Sequence, residues 1–62
     1  MKTLIEFRKS MSLTQKEMAK KIGCSLSWYQ KIESKKKMPG RVFIDRLRHE
    51  FPKVNIKSIF FD

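Results

Sequence analysis

Fifteen lysines and arginines stand against six aspartates and glutamates, a net charge of +9 with an isoelectric point near 10.1. Eight of the basic residues (Lys16, Lys20, Lys21, Lys31, Lys35, Lys36, Lys37 and Arg41) fall between Gln15 and Arg41, opposed there only by Glu17 and Glu33. So local an excess attracts polyanions. Nucleic acid is the first candidate, an anionic membrane surface the second and an acidic protein the third. Catalytic chemistry has much less to work with. His49 stands alone between Arg48 and Glu50 and reads as a surface residue. Cys24 is the only cysteine, which excludes an intramolecular disulfide and a multi-cysteine zinc site. It is most simply a small hydrophobe. The chain has no Ser-His-Asp order, no carboxylate pair and no phosphate-cradling glycine loop. The expectation is a protein without catalytic residues, metal, cofactor or small-molecule ligand.

The elements that position this charge read as helices. Leu4, Phe7 and Met11 recur at helical spacing and predict a first helix over residues 2–10, with a break at Ser12-Leu13. Thr14 followed by Glu17 is a capping box, so a second helix starts at Gln15 and turns Met18, Ala19 and Ile22 inward. Gly23 stops it. Ser25 caps a third helix that buries Tyr29 and Ile32 and ends at Ser34 and the lysine run. Phe43, Ile44, Leu47 and Phe51 predict a fourth helix, closed by Pro52, and Asn55 caps a short fifth with Ile56, Ile59 and Phe60. No segment alternates long enough for a strand. The expected fold is all-α, a compact five-helix domain spanning 1–62. Hydrophobic residues make up 40% of the chain, enough for a small core. No apolar run approaches the ~18 residues of a membrane span. Glu6 and Arg8 interrupt the N-terminal segment, so it does not read as a signal peptide, and a cytoplasmic location is expected.

Ala19, small where a neighbouring helix must come close, and Gly23 four residues on, at a turn, suit two helices held at a steep angle. That is a helix-turn-helix of helices two and three. Such a geometry frees the first turn of the second of these helices to enter a major groove. Phe7-Arg8, the run Leu13 to Ser25, Ile32-Glu33, Pro39 and the closing segment Val54 to Phe60 together resemble the Cro/CI-like (XRE-type) helix-turn-helix domains, the lambda-repressor-like fold of phage and bacterial regulators. Two positions depart from that pattern. Ser12 and Lys35 stand where the family commonly has glycine, so the segment from Glu33 to Pro39 needs another way to end the third helix.

The resemblance implies sequence-specific binding of double-stranded DNA by a transcriptional regulator, repressor-like, with the third helix in the major groove. Leu26, Ser27 and Lys31 match base-reading positions, flanked by Gln30 and Trp28. Gln15 matches a phosphate contact, consistent with the positive end of a helix. Lys35, Lys36, Lys37 and Arg41 would follow the backbone, and Arg8 would pair with Glu33. The end of the chain has more apolar side chains than one helical turn can bury. Phe61 or Phe60 is therefore expected to be left over as the contact of a weak homodimer, firmer on a palindromic operator. Two other readings compete. One is a protein-interaction module on the same fold, antitoxin- or antirepressor-like; the other is non-specific polyanion or membrane-surface binding through the lysines.

Overall fold

Thr3 opens the first helix. Its hydroxyl accepts from the Glu6 N–H at 3.1 Å while the Glu6 carboxylate accepts from the Thr3 N–H at 3.2 Å. This reciprocal cap starts α1 (Leu4–Ser10) two residues later than the periodicity alone suggested. The computed structural model describes residues 3–61, and residue 2 of the expected first helix lies outside them. Thr14 and Glu17 make the same cap at the head of α2 (Gln15–Ile22). The Thr14 N–H, donating to the Glu17 carboxylate, holds that carboxyl below its usual pKa. Ser25 caps α3 (Leu26–Glu33) by accepting from the Trp28 N–H at 3.1 Å. α4 starts at Arg41 (Arg41–Glu50), after Gly40, which offers no side-chain cap, and two residues ahead of its first core residue, Phe43. Asn55 Oδ1 accepts from the Ser58 N–H, as a cap should, but the turn that follows is wound as a π-helix (Lys57–Phe61) rather than an α-helix. The fold is all-helical, four α-helices and this π-helical turn among the described residues.

The ends of α1, α2 and α3 are alike although only one uses glycine. Gly23 has φ 87° and ends α2. Ser12 at φ 59° and Lys35 at φ 66° take the same left-handed conformation. At Lys35 the hydrogen bonds are those of a Schellman motif: Lys36 N–H to Lys31 C=O at 2.9 Å and Lys35 N–H to Ile32 C=O at 3.1 Å. Ser12 repeats the pattern, with Ser12 N–H to Lys9 C=O at 3.0 Å and Leu13 N–H to Arg8 C=O at 3.4 Å. The loop after α3 therefore keeps the ordinary ending, and a non-glycine residue carries its strain.

Leu4, Met18, Ala19, Ile22, Tyr29, Ile32, Phe43, Leu47 and Ile56 form the buried core. Aromatic edges lock its rim, Phe7 against Phe51 with ring centroids 5.5 Å apart and Phe43 against Phe60 at 6.4 Å. Met11, the last of the three residues at helical spacing, sits at the helix stop and is exposed. α2 packs on both α3 and α4, with Ala19 buried in that arrangement. The site below hangs on this α2–turn–α3 unit.

Candidate nucleic-acid interface

An α-helix turns about 100° per residue, so the eight residues of α3 sort cleanly into faces. Tyr29, Ile32 and Glu33 are buried. Ser27 and Lys31, one turn apart, point directly away from them and are exposed. Leu26 and Gln30 flank this pair on one side and Trp28 on the other, all exposed. The five residues expected at bases thus share one solvent-facing surface. Trp28 also borders a shallow apolar notch with Ile22, Cys24, Gly40 and Val42, between the turn and the start of α4.

Beneath that surface lies a polar clamp. Arg8 Nε donates to Glu33 Oε2 at 2.9 Å and Nη2 to Oε1 at 3.3 Å, a two-point contact from α1 to α3. Both side chains are largely buried, at 12% and 4% exposure. Arg8 Nη1 also donates to the Leu13 carbonyl at 2.8 Å, which ties the α1–α2 connection to the same point. Burial pushes the Glu33 carboxyl up, but the Arg8 guanidinium, with Tyr29 and Gln15 beside it, more than offsets that and holds it below its usual value. Glu33 in return raises the Arg8 pKa, against the opposing effect of burial. The Tyr29 hydroxyl is buried here without a hydrogen-bond partner among the described residues. Burial, then the neighbouring Glu33 carboxylate, drives its pKa upward, so it stays a neutral phenol.

Gln15 belongs to this clamp rather than standing free at the head of α2. Its Nε2 donates to Glu33 Oε1 at 2.8 Å and its Oε1 accepts from Gln30 Nε2 at 3.0 Å. Lys35, Lys36 and Lys37 are exposed on the α3–α4 loop. Arg41 is almost wholly exposed at the start of α4, 3.8 Å from Asp45, a pair too exposed to hold it. At the other end of the chain Phe61 is 58% exposed, while Phe60 is half-buried against Phe43. Of the two expected contact residues, then, only Phe61 is left clear of the core.

Two contacts carry no sequence signal strong enough to have been found beforehand. Arg46 Nη1, on α4, donates to the Gly23 carbonyl at 2.8 Å and so fastens the turn between α2 and α3. A Cβ on Gly23 would lie 3.0 Å from that nitrogen. Glycine at position 23 takes the left-handed backbone without strain, and any side chain there would have to displace the end of Arg46. The Gln15–Gln30 contact was equally hidden, because a glutamine at a helix start serves an anion or a neighbour with equal ease. Cys24, half-buried in the turn, has its thiol pKa raised by burial, which makes it a poor nucleophile at neutral pH.

Among the described residues no helix is long and apolar enough to cross a membrane. Comparison with curated proteins finds no match, and comparison with solved structures finds none. A family model described as helix-turn-helix matches residues 4–52, from the start of α1 to the residue after Phe51. The match takes in both helices of the motif, the clamp beneath them and α4. The chain belongs to the helix-turn-helix family of the XRE, Cro/CI-like type, a family of DNA-binding domains of transcription regulators.

Proposed function

We propose that the protein is a sequence-specific regulator of transcription, repressor-like, that places α3 in the major groove of double-stranded DNA. The observation that carries this reading is the partition of α3. Ser27 and Lys31 project away from every buried contact, on a helix fixed at its start by Ser25, underneath by Glu33 and at the adjoining turn by Arg46. A reading helix must be held this way, since a base contact tolerates little misplacement. Lys31 suits the O6 and N7 of guanine, Ser27 either kind of base edge, Gln30 adenine, and Leu26 the thymine methyl. Trp28 sits at the margin of that surface, towards the backbone. Lys35, Lys36, Lys37 and Arg41 supply phosphate contacts, as does Gln15 at the positive end of α2.

Phe61 is the proposed contact between two copies. An exposed aromatic at the end of the domain suits a small two-fold interface, weak in solution and firmer on DNA. Two third helices about 34 Å apart would then meet successive major grooves of a palindrome. Selection of bound oligonucleotides from a random pool, followed by gel shift against random competitor, tests the function. Recovery of a consensus with two-fold symmetry supports it. A shift erased by the competitor supports charge-driven binding alone, and no shift at all supports a protein partner.

A further inference from the structure

We propose that Glu33, a buried residue away from the reading surface, sets which hydrogen-bonding groups Gln30 offers to a base, with Gln15 as the positioning residue between them. The inference rests on α3 lying in the groove. It follows from donor and acceptor bookkeeping alone. An ionised carboxylate only accepts, so the end of the Gln15 amide that lies 2.8 Å from Glu33 Oε1 is the NH2 group. The other end of Gln15 is then its oxygen, which only accepts, so the end of Gln30 that lies 3.0 Å from it is again an NH2 group. Gln30 is left with its oxygen and one N–H for the groove. That pair matches N6 and N7 of adenine.

The polarity of the chain is reversible. In Glu33→Gln the new amide must give its oxygen to Arg8, because a guanidinium only donates, and so turns its NH2 group towards Gln15. The Arg8 contact at 3.3 Å is lost and the buried Arg8 charge loses its counter-ion, so this variant is expected to melt well below wild type. Gln15 then accepts from residue 33 and turns over, its NH2 group meets the oxygen of Gln30, and Gln30 presents two N–H groups outward. Two donors match O6 and N7 of guanine. One substitution beneath the surface therefore exchanges adenine for guanine at a single base pair, while the pairs facing Ser27 and Lys31 keep their preference.

The test is equilibrium binding to the selected operator with each position varied in turn, for wild type, Glu33→Gln, Gln30→Ala and Gln15→Met, with melting curves alongside. Gln30→Ala should lose discrimination at one pair and so identify it. At that pair Glu33→Gln should favour guanine by about tenfold. Gln15→Met should lose discrimination there and nowhere else, with the Arg8–Glu33 pair intact, and it decides the matter if Glu33→Gln does not fold. The proposal is overturned if Glu33→Gln binds specifically and still prefers adenine, if Gln15→Met weakens all sequences equally, or if Gln30→Ala moves no pair. A wild type without any base preference overturns the placement of α3 and the relay together, whereas a specific wild type with an unmoved Glu33→Gln overturns the relay alone.

Discussion

Replacing Glu33 with alanine should come close to unfolding the domain. The carboxylate accepts two hydrogen bonds from Arg8 and one from Gln15, and its side chain is 4% exposed. Without it the Arg8 guanidinium, at 12% exposure, keeps only the Leu13 carbonyl. Breaking one side of a buried ion pair costs about 3–5 kcal/mol, chiefly because the surviving charge is left uncompensated. A domain of this length holds only about 3–9 kcal/mol in total. The melting temperature should fall by about 12–40 °C, at roughly 4–8 °C per kcal/mol. Removing both charges, in Arg8→Met with Glu33→Met, leaves no bare ion and should cost roughly 2 kcal/mol or less. The pH dependence carries a definite sign. The Glu33 carboxyl titrates lower in the folded chain than in the unfolded one, so its contribution is complete above the unfolded pKa of about 4.3 and is lost as pH falls from there through the folded value. Urea titration followed by circular dichroism, from pH 7 down to pH 3, measures each quantity. The reasoning fails if Glu33→Ala lies within about 1 kcal/mol of wild type, or if the double variant is as unstable as the single one.

Lys35→Gly should stabilise the fold by roughly 0.5–1 kcal/mol, because it relieves a left-handed lysine, while weakening DNA binding; a lower midpoint in urea would contradict the strain at φ 66°. Ser27→Ala and Lys31→Ala should each cost roughly 1–3 kcal/mol on the best operator and relax particular base pairs, whereas Lys36→Ala should weaken every sequence alike and reduce the log–log salt slope by about 0.9. Salt titration of the wild type should give a slope of about −4 to −7 per protomer, and a flat response would remove the phosphate contacts. Phe61→Asp should stay folded and lose the steep concentration dependence of operator binding; an unfolded variant would put Phe61 in the core, and unchanged cooperativity would place the dimer contact elsewhere.

Those outcomes bear unevenly on what the residues announced beforehand. Thr14 with Glu17, Gly23 and Ser25 mark the start of α2, its end and the start of α3, because caps and left-handed stops depend on a few residue types at fixed spacing. The left-handed stops at Ser12 and Lys35 were less legible. The preference for glycine there is worth only about 1–2 kcal/mol, and two backbone hydrogen bonds at each stop outweigh it. The family resemblance supplied the Arg8–Glu33 pairing, but not the place of Gln15 in it, since an amide side chain has no sign that a sequence pattern can show. Arg46 was illegible for a plainer reason. Its partner is a main-chain carbonyl, which every residue possesses. The π-helical winding of the C-terminal turn has no local signature in the sequence.

The two-sided character of α3 has a consequence for how such a protein can diverge. Tyr29, Ile32 and Glu33 hold the helix, while Ser27 and Lys31 lie exposed on its opposite face. Substitutions at independent sites add, so positions 27 and 31 can vary with little effect on folding. After a gene duplication, two copies could come to favour different operators through those positions without first acquiring compensating changes in the core. Gln30 is the exception. Its neighbour in the clamp links it to Glu33 and Arg8, so change there is constrained from beneath. Among descendants of one such ancestor, positions 27 and 31 should follow the operator each copy reads, while 8, 15, 30 and 33 should change together or not at all.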